Sequence, residues 1–104
     1  MRTDINVGDI VQHFKRETLS NPGNLYLYKI LAFAEHTETG EMLVIYQALY
    51  KDENKNIDHT IFARPYDMFM SEVDHDKYPN IKQKYRFEKY MGELRDEQGK
   101  LMFF

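Results

Sequence analysis

The chain has 104 residues, a formal net charge of −3 and no cysteine. That excludes disulfides, thiol nucleophiles and thiolate metal sites, and it gives no general pull toward phosphate backbones. A hydrophobic fraction of 42%, with 8 tyrosines and 7 phenylalanines, suffices for one folded core, so residues 1–104 are read as a single domain. Eight tyrosine hydroxyls are more than so small a core easily hides, and each needs a partner or an exposed edge. With no apolar leader before Asp9 and no run near the roughly 18 residues that span a bilayer, the expectation is a cytoplasmic protein with no membrane partner.

In chain order, Val7-Gly8-Asp9 is a turn signal, and Asp9 to Lys15 alternates as a first strand. Ser20-Asn21-Pro22-Gly23-Asn24 closes a loop that begins at Arg16, since proline presets φ and the glycine admits a positive one. Leu25 to His36 is apolar at both odd and even positions, which points to a long strand that is curved or bulged. Gly40 turns the hairpin at Thr37 to Glu41, and Met42 to Tyr50 returns antiparallel. Lys51 to Asp58 reads as a solvated loop, and His59 to Arg64 as a fourth strand. Pro65 then opens a single helical turn at its first position, with Phe69 as the anchor into the core.

Ser71 to Asn80 is acidic and turn-rich, and Tyr85 to Tyr90 alternates as a fifth strand. Two readings of Met91 to Phe104 stay open. Gly99 turns a last hairpin that returns Leu101 to Phe104 to the sheet, or Glu93 to Gln98 forms a helical turn. The expected fold is mainly β: an SH3-like, partly open barrel of about five antiparallel strands, with a 3₁₀ or helical turn before the last. An α+β arrangement with a C-terminal helix is the alternative.

His13-Phe14-Lys15, Ala34-x-His36-Thr37-Glu38-Thr39-x-Glu41, Leu43-Val44-Ile45-Tyr46-x-Ala48-Leu49-Tyr50 and Arg64-Pro65-x-x-Met68-Phe69 follow one another in order. Together they resemble the DUF1653 family, a small bacterial domain of unknown function. The resemblance covers roughly Val7 to Val73, leaving 74–104 as a C-terminal extension. It implies a compact β-rich domain with no assigned reaction. Phe62-Ala63 stands where the family commonly places Trp-Val, which keeps a ring but loses an N–H donor. The loops at Arg16 to Asn24 and Lys51 to Asp58 are longer than the family pattern.

For chemistry, His36, Glu38 and Glu41 flank the hairpin tip, where an imidazole beside a carboxylate can act as base, acid or ligand. The plain alternative is that Glu38 and Thr39 order the turn while His36 caps the strand. Arg64 ends a strand beside a proline, placed to clamp a carboxylate or phosphate or to pin the hairpin through Glu38 or Glu41. Tyr46 shares a face with Val44 and Ala48, so core packing with a satisfied hydroxyl is its plainer role. The candidate ligand-binding set is therefore His36, Glu38, Glu41, Tyr46 and Arg64, expected around one concavity.

The four histidines lack metal-ligand spacing, no phosphate-binding glycine loop is present, and no cofactor or metal is expected. Lys82, Lys84, Arg86 and Lys89, interleaved with Tyr85, Phe87 and Tyr90, make the local case for single-stranded nucleic acid. The reading that results is a binding or adaptor domain for a small anionic ligand, nucleotide or peptide. The competing readings are a small enzyme using a His–carboxylate pair and a nucleic-acid module.

Overall fold

The computed structural model describes residues 2–96 and 98–101. Its strands are β1 (Ile10–His13), β2 (Leu27–Glu35), β3 (Met42–Ala48), β4 (Lys51–Asp52), β5 (Ile57–Asp58), β6 (Ile61–Pro65) and β7 (Phe87–Lys89). One helical turn, α1 (Tyr66–Phe69), precedes the last strand, and 3₁₀ turns occupy Phe14–Thr18 and Glu53–Lys55. Five strands form one antiparallel sheet in the order β6-β3-β2-β1-β7, and β4 and β5 form a small ribbon of their own. The fold is mainly β, as expected. The sheet does not close into a barrel, because β6 and β7 both remain edges. No helix among the described residues is long and apolar enough to cross a membrane.

The double apolar pattern of β2 has a local cause. Its register against β3 shifts between Ile30 and Ala32, so the strand carries a bulge there. A bulge changes which parity faces the core. Tyr28 and Ile30 belong to the main cluster before it, and Phe33 packs on that cluster after it. Leu27 points the other way, into a second cluster with Leu49 and Leu94. β3 alternates cleanly instead, with Val44, Tyr46 and Ala48 buried and Leu43, Ile45 and Gln47 half-buried. At the tip, the N–H of His36 donates to Glu41 O at 2.8 Å and that of Gly40 to His36 O at 2.9 Å. Gly40 takes the positive φ of 74° that this turn requires.

Phe69, carried by α1, stacks on Phe87 of β7 with centroids 4.0 Å apart and planes 7° from parallel. Both rings are fully buried. Burying a side chain of this size contributes about 2–3 kcal/mol, so this pair ties α1 to the far edge of the sheet. Pro65 closes β6 and stands just ahead of the helix, one place earlier than expected.

Three local expectations are corrected. β1 ends at His13 rather than Lys15, because the His13 ring caps the 3₁₀ turn that follows. Lys51 to Asp58 is a miniature hairpin rather than a plain loop: Asp52 Oδ1 accepts from Asn54 N at 3.1 Å, and Asn56 takes φ 55°. After Lys89, Gly99 turns a tight hairpin that bridges Arg95 to Leu101, so neither the C-terminal helix nor the helical turn at Glu93 to Gln98 appears among the described residues. Of the expected return of Leu101 to Phe104 to the sheet, Leu101 pairs with Arg95 in an isolated bridge instead, and residues 102–104 lie outside the described residues.

The segment after Asp74 is integral to the core. The Glu17 carboxylate accepts from Lys82 N at 2.9 Å and Gln83 N at 2.7 Å. Gln83, a buried amide, donates to the carbonyls of Gln12 and Tyr85 and accepts from Gln12 Nε2. These bonds deliver β7 to the outer edge of β1, with Phe87 opposite His13.

Candidate functional site

Antiparallel pairing puts directly opposed residues on one face. Tyr46 opposes Phe62, Val44 opposes Arg64, and His13 opposes Phe87. Of these, Tyr46, Phe62, Arg64, His13 and Phe87 meet Tyr26, Tyr28, Tyr50 and the β4-β5 ribbon at a cleft of about 190 Å³. Its walls are aromatic: Tyr28 meets Tyr46, Tyr50 and Phe87 edge to face, with centroids 5.2, 5.6 and 5.8 Å apart. Tyr28 and Tyr50 share a hydroxyl–hydroxyl hydrogen bond of 2.8 Å.

Lys15, Lys55 and Arg64 bring positive charge to the lining, which holds no carboxylate among the described residues. The guanidinium carbon of Arg64 lies 5.5 Å from the Phe87 ring centre, within cation–π range. Arg64 also approaches the Tyr46 hydroxyl: burial pushes that phenol up, and the guanidinium pulls it back down. Burial likewise pushes up the phenols of Tyr28 and Tyr50, so the hydroxyls stay protonated and can donate at neutral pH. None of the three cations has a carboxylate within salt-bridge distance among the described residues. Asp52 acts on Lys55 only through space, after the hydrogen bond to Tyr26 that dominates and raises its pKa.

Tyr26 has a φ of 63°. A bulky residue in the left-handed region costs of order 1–3 kcal/mol, and such outliers gather at binding sites. Here the strained residue places its ring 5.6 Å from His13 and 6.1 Å from Tyr50. Its hydroxyl takes a 2.7 Å hydrogen bond from Lys55 Nζ, holding that cation at the rim.

His13 is packed among rings: Phe14 at 4.4 Å, Phe87 at 5.0 Å and Tyr26 beyond. Its Nδ1 accepts from Lys15 N at 3.1 Å, which leaves the proton of the neutral ring on Nε2. Burial first, and then the charges of Arg64, Lys15, Arg86 and Lys55, lower its pKa to about 3. The imidazole is therefore an uncharged N–H donor at neutral pH.

The five residues singled out from the sequence are divided. Tyr46 and Arg64 meet in this cleft. His36 stays at the hairpin tip, where its Nδ1 accepts from Glu38 N at 3.1 Å and Thr39 N at 3.3 Å. That is the turn-ordering role. Glu38 and Glu41 are exposed, and Glu41 borders a separate, wider groove with Phe33, Met42 and Tyr66. Among the described residues no ion pair links His36 to a carboxylate or Arg64 to Glu38 or Glu41. Sequence reasoning did not place His13, Tyr26, Tyr28, Tyr50 or Lys55 at a site; the tyrosine surplus was the available signal.

The basic aromatic stretch also divides. Phe87 is core, Tyr85 lies 3.8 Å under the Arg2 guanidinium, and Glu88 accepts from Lys84 N and Tyr85 N. Among the described residues no three His, Asp or Glu side chains come together to hold a metal ion.

A family profile described as "Protein of unknown function (DUF1653)" matches residues 9–89. The chain belongs to the DUF1653 family. The match runs through β7, past the Val73 limit of the resemblance, in keeping with the part that 74–89 plays in the core. Neither a curated protein nor a solved structure matches the chain.

Proposed function

We propose that this DUF1653 chain is a binding domain that recognises a small anionic group at the Arg64–Lys55–Lys15 cleft. One observation carries the reading: three cations line a concave, tyrosine-walled surface to which no carboxylate among the described residues contributes. Arg64 is half-buried, and a partly desolvated guanidinium attracts an anion more strongly than an exposed one and can meet two of its oxygens at once, while Lys15 and Lys55 add exposed charge at the rim. The neutral His13 N–H and the phenol hydroxyls add donors that carry no counter-charge. The aromatic walls fit a ligand with an apolar or planar body behind its charge.

The test is an NMR titration of the ¹⁵N-labelled protein with inorganic phosphate and with adenosine monophosphate. Shift changes should concentrate at His13, Phe62 and Arg64, and Arg64→Met should weaken binding by about tenfold or more. Changes spread evenly over exposed lysines, and unaltered in Arg64→Met, would refute the reading. His36→Ala should leave the titration unchanged.

A further inference from the structure

β6 is an edge of the sheet, and its ladder shows which backbone groups are spare. Ala48 N donates to Thr60 O at 2.9 Å, so Thr60 turns its polar groups toward β3. By the alternation of an antiparallel pair, Phe62 and Arg64 do the same, while Ile61 and Ala63 direct N–H and C=O away from the sheet. Pro65, which has no N–H, falls on the outward parity, where the ladder does not need one. Ile61 is 57% exposed and Ala63 is exposed, so this edge is open to solvent. Edges are commonly blunted by lysine, bulges or inward charges, and β6 carries its terminal proline and the inward Arg64 but neither a lysine nor a register shift against β3.

We infer that the β6 edge receives an extended acidic peptide segment, added antiparallel as a further strand with its carboxylates facing Arg64. This rests on the anion-binding reading of the cleft and names the partner that delivers the anion. Charge complementarity selects it. Phe62 and Arg64 face the cleft, so partner residues opposite them enter a surface with cations and, among the described residues, no carboxylate. Residues opposite Ile61 and Ala63 fall on the other face, alongside those two exposed apolar side chains, whose own partners on β3 are Gln47 and Ile45. The matching peptide alternates carboxylate and β-branched residues, with main-chain bonds supplying affinity and alternate side chains specificity.

A fluorescein-labelled, amidated peptide of alternating Val and Glu is followed by anisotropy. Ala63→Pro removes an outward N–H that β3 does not use, and it should weaken peptide binding at least about tenfold while leaving the phosphate titration intact. Arg64→Met should weaken both. The same peptide N-methylated at its valines should lose binding to the unaltered protein, and one N-methylated at its glutamates should keep it. This arm holds even if Ala63→Pro fails to fold. Equal binding of the valine-methylated peptide, or of a Val–Lys peptide, overturns the inference. So does a wild-type dimer on size exclusion that Ala63→Pro dissolves, since the edge then belongs to a second copy. Phosphate binding without peptide binding sinks only this inference; peptide binding without phosphate binding sinks only the free-anion reading.

Discussion

His13 gives the sharpest quantitative test of the cleft. In the unfolded chain its imidazole takes a proton near the ordinary 6.5, whereas in the fold burial and the neighbouring cations hold that off until about 3. The folded value is depressed, so stability is complete above pH 6.5 and is lost as pH falls from there toward 3. The slope is at most one proton, about 1.4 kcal/mol per pH unit, and at pH 5 the loss reaches at most about 2 kcal/mol. His13→Asn keeps a side chain that can cap the Phe14–Thr18 turn but does not titrate. Urea unfolding of both proteins at pH 8 and pH 5 isolates the term. The wild type should lose more stability than His13→Asn, by up to about 2 kcal/mol, because other groups cancel in the difference. Equal losses, or an NMR midpoint for His13 near 6.5, would refute the assigned environment.

Two further outcomes follow from the packing. Phe69→Ala should cost about 3–5 kcal/mol in chemical denaturation, since it empties a closed stack against Phe87; a loss under about 1 kcal/mol would mean the site collapses freely. Glu17→Ala leaves the N–H groups of Lys82 and Gln83 without their acceptor. It should cost about 1–3 kcal/mol, with faster amide exchange at both residues as the diagnostic.

Residue patterning and turn signals were enough to locate all five strands of the main sheet and the Gly40 hairpin, because both are local properties. The anchoring of Phe69 was legible for the same reason. The doubly apolar run from Leu25 to His36 announced a bulge, although its place, between Ile30 and Ala32, depends on the register with β3. Of the site, Arg64 and Tyr46 were legible as chemistry, whereas the company they keep was not. Strand alternation says which residues share a face; it does not say which distant strands close over that face.

Tertiary structure decided that last point. Glu17 and Gln83 carry β7 to the edge beside β1, so Phe87 arrives under Arg64 and against His13. The tip residues His36, Glu38 and Glu41 lie beyond the last paired residues of β2 and β3, Glu35 and Met42, and they belong to the turn rather than to the cleft of Arg64. The depressed pKa of His13 is a sum over burial and cations from β6, the 3₁₀ turn after β1, the residue before β7 and the β4-β5 ribbon. The sequence alone settled the five strands of the main sheet, since each is written in a few consecutive residues; only folding could settle the β4-β5 ribbon and the cleft, whose charges come from parts of the chain that no local pattern connects.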